Sequence, residues 1–79
     1  MTDRARLIYD DLRERYGKAT LTKKELANEL GVSLSTIDNY VSKGYGIPPY
    51  RKLGTARNAK VVFNVGDVAK FLSETIEVA

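Results

Sequence analysis

The 79-residue chain has no cysteine, no histidine and no tryptophan, and only two prolines. Without cysteine there is no disulfide to staple a small fold and no thiol chemistry. Without histidine the commonest general base and the commonest zinc ligand are missing, so a catalytic site would have to be built from carboxylates, lysines and hydroxyls. Asp10 and Asp11 are adjacent, which on a helix turns them in different directions, and neither a phosphate-binding loop nor a metal-ligand spacing is present. No catalytic residue, metal or cofactor is therefore expected. No run approaches the roughly 18 apolar residues of a membrane span. The start Met1-Thr-Asp-Arg-Ala-Arg lacks the apolar segment of a signal peptide, so a cytoplasmic protein without a membrane partner is expected.

What is present is the composition of an ordinary globule, 43% hydrophobic and 29% charged, in a length that suits a single domain over residues 1–79. A chain this short buries only about 60% of its unfolded surface, so its fold leans on strong local signals. The formal net charge of +3 is small, but its distribution is uneven. Residues 1–38 carry seven cations and seven anions. Residues 39–66 carry Lys43, Arg51, Lys52, Arg57 and Lys60 with no acid, and residues 67–79 carry Lys70 against Asp67, Glu74 and Glu77. An acid-free stretch of five cations is either a solvated face or the footprint of a polyanion.

Ala5, Ile8, Tyr9, Leu12 and Tyr16 recur at three- and four-residue steps, which predicts a first amphipathic helix over about residues 3–16, with Thr2 as N-cap and Gly17 as exit. Three later sites repeat an apolar residue, a capping side chain, and an apolar residue four positions after the cap. Leu21-Thr22-Lys-Lys-Glu25-Leu26 is a full capping box with its hydrophobic staple. Val32-Ser33-Leu-Ser-Thr36-Ile37 has the cap and a Val32/Ile37 staple. Phe63-Asn64-Val-Gly-Asp67-Val68 has Asp67 in place of the usual glutamate. Helices are therefore expected to start near residues 23, 34 and 65. The second ends at Gly31 and the third at Gly44, while the fourth presents Val68, Ala69, Phe71 and Leu72 before a tail that frays after Glu74. Gly46, Pro48 and Pro49 break the helical period, and Tyr50-Arg-Lys-Leu53 and Lys60-Val-Val-Phe63 read as the strands of a hairpin.

Leu26, Ala27, Leu30, Gly31, Val32, Ile37 and Tyr40 form one set. A small residue at the crossing, a glycine at the turn four residues later and a capped following helix give the spacing of a helix-turn-helix. The expected fold class is mostly α with a small β-hairpin: three helices, a hairpin wing and a C-terminal helix, in the order of a winged helix-turn-helix. Its segments are an N-terminal helix over 1–20, the helix-turn-helix over 21–44, the wing over 45–64, and the C-terminal helix and tail over 65–79.

Residues 21–44, with Ile47-Pro-Pro-Tyr-Arg-Lys-Leu-Gly54 and Val62-Phe-Asn-Val-Gly-Asp-Val-Ala-Lys-Phe-Leu72, resemble the phage AlpA and excisionase group, which is related in architecture to the DNA-binding domain of MerR-type regulators. The resemblance covers roughly residues 21–73 and leaves the first helix outside it. It implies the third helix in the major groove, a wing on the adjacent backbone or minor groove, and a role in transcription regulation or in directing site-specific recombination.

The base-facing candidates are then Ser33, Ser35, Thr36, Asp38 and Asn39. Asparagine pairs with adenine N6 and N7, serine and threonine suit either base, and aspartate accepts from cytosine N4. Lys43, Arg51, Lys52, Arg57, Asn58 and Lys60 are the backbone and wing candidates, with Arg57-Asn58 at the tip aimed at a narrow minor groove. The expected partner is double-stranded DNA. One module of this kind buries only about 600 to 1,000 Å² on DNA, so cooperative binding, a homo-oligomer or an integrase partner is expected as well, through the first helix or Ile76 and Val78. The alternative is a protein-interaction adaptor on the same scaffold, bound through the first helix. An RNA partner would want stacking aromatics, and of the three near the basic stretch, Tyr45, Tyr50 and Phe63, the last reads as core.

Overall fold

A computed structural model describes residues 2–55 and 60–74. The elements run α1 (Asp3–Tyr16), β1 (Thr20–Thr22), α2 (Lys23–Leu30), α3 (Leu34–Lys43), β2 (Arg51–Leu53), β3 (Lys60–Asn64) and α4 (Val65–Ser73). The four helices and the hairpin lie where the sequence predicts them. The strand β1 is an addition: Thr20, Leu21 and Thr22 pair antiparallel with Asn64, Phe63 and Val62, so the sheet has three strands in the order β1-β3-β2. Three residues are too few to show a period of two, and this strand exists because β3 offers it a partner.

The helix ends are set by local chemistry. Thr2 Oγ1 accepts from the Ala5 amide, and the Gly17 amide closes α1 on the Arg13 carbonyl. At α2 the Thr22 hydroxyl accepts from the Glu25 amide at 3.1 Å, while Glu25 accepts from the Thr22 amide at 2.9 Å, both halves of the expected box. Loss of such a cap costs about 1 kcal/mol, a large share of the stability of so small a domain. Leu21 and Leu26, the expected staple, are fully buried. Gly31 has φ 70°, its amide bonds the Asn28 carbonyl, and the Val32 amide reaches Ala27. This double closure lets the chain leave α2 and enter α3 three residues later, with Ser33 accepting from the Thr36 amide.

Two expectations are corrected in detail. Val32, expected to be covered by its staple with Ile37, stays 38% exposed in a surface groove with Tyr16, Asn28 and Leu34. At α4 the short Asn64 side chain accepts from Gly66, not Asp67. Asp67 makes no return bond among the described residues. The buried face of α4 is Val65, Val68 and Ala69, with Leu72 half-buried against it. Phe71, one position off that stripe, is also half-buried.

One core joins every element except β2, whose three residues are exposed. Leu12 from α1, Leu21 from β1, Leu26 and Ala27 from α2, Ile37 from α3, and Val61 and Phe63 from β3 meet the α4 residues, and α1 packs chiefly on α4. Pro48, expected only as a helix breaker, is itself fully buried. Tyr50 then ties the hairpin to α3: its ring lies 6.0 Å from that of Phe63 and its hydroxyl donates a long 3.4 Å bond to the Val41 carbonyl. Gly46 allows the close return of this segment, since it has φ 82° and a Cβ there would lie 3.5 Å from the Tyr40 ring.

A polar clamp joins α1 to α2. Arg15 donates to both oxygens of Glu29 at 2.7 Å and also to Asp11, and Tyr16 donates to Glu29. The Glu29 side chain is only 11% exposed, so removing Arg15 would strand a carboxylate away from water. The Arg15 hydrogen bonds hold the Glu29 carboxyl below the usual range, against burial, with help from Tyr16. For Tyr16, burial first and the Glu29 hydrogen bond second push the phenol up.

Because Glu29 titrates lower in the folded chain than in the unfolded one, its stabilisation is complete above the ordinary carboxylate value of about 4.3 and is lost as pH falls through the lowered folded value. Glu29→Gln is therefore expected to flatten the acid limb of a stability-versus-pH curve measured by urea denaturation. An acid limb as steep as that of the wild type would show that the clamp does not hold.

Candidate nucleic-acid interface

Ile37 anchors α3 to the core, and the helix turns Leu34, Ser35, Asp38 and Asn39 outward. The five sequence-predicted base-facing residues do fall together here, but they are not equally free. Ser33 is the cap of α3, and its hydroxyl lies 2.9 Å from that of Thr36 and 3.2 Å from that of Ser35. The Asp38 carboxylate is held by Lys23 at 2.7 Å. Asn39 is exposed and makes no side-chain bond among the described residues, which leaves its amide able to give and take two hydrogen bonds at once.

The cations divide into two groups. Arg6, Arg15, Lys18 and Lys23 are paired, with Asp10, Asp11 and Glu29, Glu25, and Asp38 respectively. The Lys18 pair belongs to the α2 start: burial works against the Glu25 charge, but Lys18 and the Thr22 amide and hydroxyl together hold its carboxyl low. By contrast Lys24, Lys43, Arg51, Lys52 and Lys60 make no ion pair among the described residues. Arg13 on α1 is unpaired among the described residues as well, and so are Arg4 and Lys70, but these two share a cleft of about 790 Å³ between the start of α1 and α4 with Asp67 and Glu74. That cleft offers an anion no net attraction, whereas the α3 side does.

Register places the free cations. Lys52 is opposite Val61, on the sheet face that carries Leu21 and Phe63, while Arg51 is opposite Val62 on the other face. Arg51 there lines a groove with Thr20, Tyr50, Asn64 and Asp67. Lys60 lies in a different groove, with Thr22, Lys23, Lys24, Leu34 and Asp38. The wing cations therefore do not form one row: Lys52 lies on the opposite sheet face from Arg51, and Lys60 and Arg51 line different grooves, Lys60 the one that Leu34 and Asp38 of α3 also line. Lys43 closes the other end of α3. Arg57 and Asn58 lie outside the described residues, as do Ile76 and Val78 and the tail expected to fray.

Sequence reasoning missed Lys23 and Lys24. They sit in the stretch that sums to zero, and only the pairing of Thr22 with Val62 reveals that the start of α2 abuts Lys60. A charge count taken after subtracting capping and helix-pair partners would have exposed Lys24.

The Lys23–Asp38 pair is 32% and 50% exposed, and pairs this wet contribute little. Asp38→Asn is expected to change unfolding free energy by no more than about 0.5 kcal/mol in urea denaturation. A loss above about 2 kcal/mol would mean that the pair, rather than Ile37, holds α3 in place. No protein-family model, no curated protein and no solved structure matches this chain. Among the described residues, no helix is long and apolar enough to cross a membrane.

Proposed function

We propose that this chain is a sequence-specific double-stranded DNA-binding protein with a winged helix-turn-helix architecture. In this scheme α2 and α3 are the helix-turn-helix, α3 enters the major groove, and the β2–β3 hairpin is the wing. The observation that carries the proposal is the grouping of charge around α3: Arg6, Arg15, Lys18 and Lys23 are each answered by a carboxylate, while Lys24 and Lys60 beside α3 and Lys43 at its end make no ion pair among the described residues and flank a face that presents Asn39 and Ser35. Unpaired cations framing a polar helix suit phosphates at the rim and base edges at the centre. The strand between the first two helices also supports the architecture, since it completes a three-stranded sheet behind the hairpin.

The AlpA and excisionase resemblance of residues 21–73 supports a role as a regulator of transcription or as an excisionase-like factor of a phage or mobile element. The single module has little area for tight binding alone. Leu7, 71% exposed on α1, is where a second copy or an integrase would add contact.

Selection from a random duplex library is expected to enrich one sequence class, and titration of the enriched duplex against salt to give a log–log slope near about −4, from four or five phosphates. Lys24→Ala, Lys52→Ala, Lys60→Ala and Arg57→Ala are each expected to lower that slope by about one without changing the sequence preference. A selection that enriches nothing, or a slope that none of these variants moves, would overturn the proposal.

A further inference from the structure

Leu34 is the first residue of α3 and is 46% exposed, and the core is complete without it. Single exposed leucines are common, but the surroundings of this one are particular. It stands between two shallow grooves, and Lys24 lines both of them. Lys60 lines one of them. Asp38, one turn further along α3, has its charge answered by Lys23. An aliphatic side chain is therefore framed by cations, two of which have no partner among the described residues. The second groove also holds Val32, 38% exposed, and Glu25, whose charge is answered by Lys18, so the complementary surface is anionic on its walls and apolar on a floor that meets Leu34 and Val32. The major groove of DNA has that form: phosphates line both edges, and the one apolar group its bases present there is the 5-methyl of thymine.

Asn39 fixes a second point. It lies five residues after Leu34, about 7.5 Å along the helix axis and about 140° around it, so the two side chains reach separate base pairs. A free asparagine amide matches adenine N6 and N7.

We propose that Leu34 reads the 5-methyl group of a thymine, so that the selected duplex carries an A·T pair under the start of α3 and a separate A·T pair under Asn39. This rests on the DNA-binding function proposed above and specifies the base class that α3 recognises.

The test uses the enriched duplex remade with deoxyuridine in place of each thymine in turn, which removes one methyl group and nothing else. At one position uracil should weaken wild-type binding about four-fold, the effect of exposing one buried methyl. Leu34→Ala should bind the thymine duplex more weakly by a similar factor and no longer distinguish thymine from uracil there. Leu34→Met, which keeps the apolar reach, should retain the distinction and decides the matter if the alanine variant does not melt cooperatively. Wild-type affinity unchanged within about two-fold at every uracil position would overturn the inference while leaving DNA binding intact. So would an alanine variant that keeps the uracil penalty, or one that changes only the oligomeric state, which would put Leu34 in a protein contact. Enrichment of no duplex at all would remove the DNA-binding function itself, a result distinct from these.

Discussion

The structure depends on the pairing of β1 with β3. Leu21 sits opposite Phe63, both fully buried, and Thr22, the next residue, is at once the last ladder position and the N-cap of α2. The sheet and the α2–α3 corner are thereby locked at one residue. From that point α2 has a fixed start, the Gly31 turn fixes the entry to α3, and β3 carries β2 at a set register. Tyr50 closes the loop by bonding back to α3 at Val41. The groove that brings Lys24, Leu34 and Lys60 together is a consequence of this one junction rather than of any contact among those three residues.

Charge follows the same division of labour. The carboxylates of α1 and α2 are used to hold cations of their own scaffold, and the most enclosed, Glu29, links the two helices through Arg15 and Tyr16. Of the cations left over, Lys24, Lys43 and Lys60 lie beside or at the end of α3. Exposed pairs such as Arg6–Asp10 contribute little to stability, but each neutralises a scaffold charge that would otherwise compete for a polyanion. The net charge of +3 understates the local imbalance, because pairing inside the fold decides which positive charges remain.

Helix boundaries were legible in the sequence because they are set by side chains within four residues of each other: Thr2, Thr22, Ser33 and Asn64 start the helices, and Gly17, Gly31 and Gly44 end three of them. What was not legible depends on partners far along the chain. Thr20–Thr22 becomes a strand only against Val62–Asn64, and Pro48 becomes core only where the chain folds back under Tyr50. The candidate site shows the same limit. Asn39 and Lys43 could be placed from helical spacing alone, whereas the separation of Arg51 from Lys52, and the arrival of Lys24 beside Lys60, needed the strand register.

The central claim is that α3 and the cations flanking it form a single face that receives DNA. Amide and side-chain NMR shifts recorded as a selected duplex is added test it most directly. The account predicts that the largest changes fall on Lys24, Leu34, Ser35, Asn39 and Lys60, with α1 and the cleft around Arg4 and Asp67 unmoved. Changes concentrated on α1 around Leu7, or none at all on α3, would contradict it.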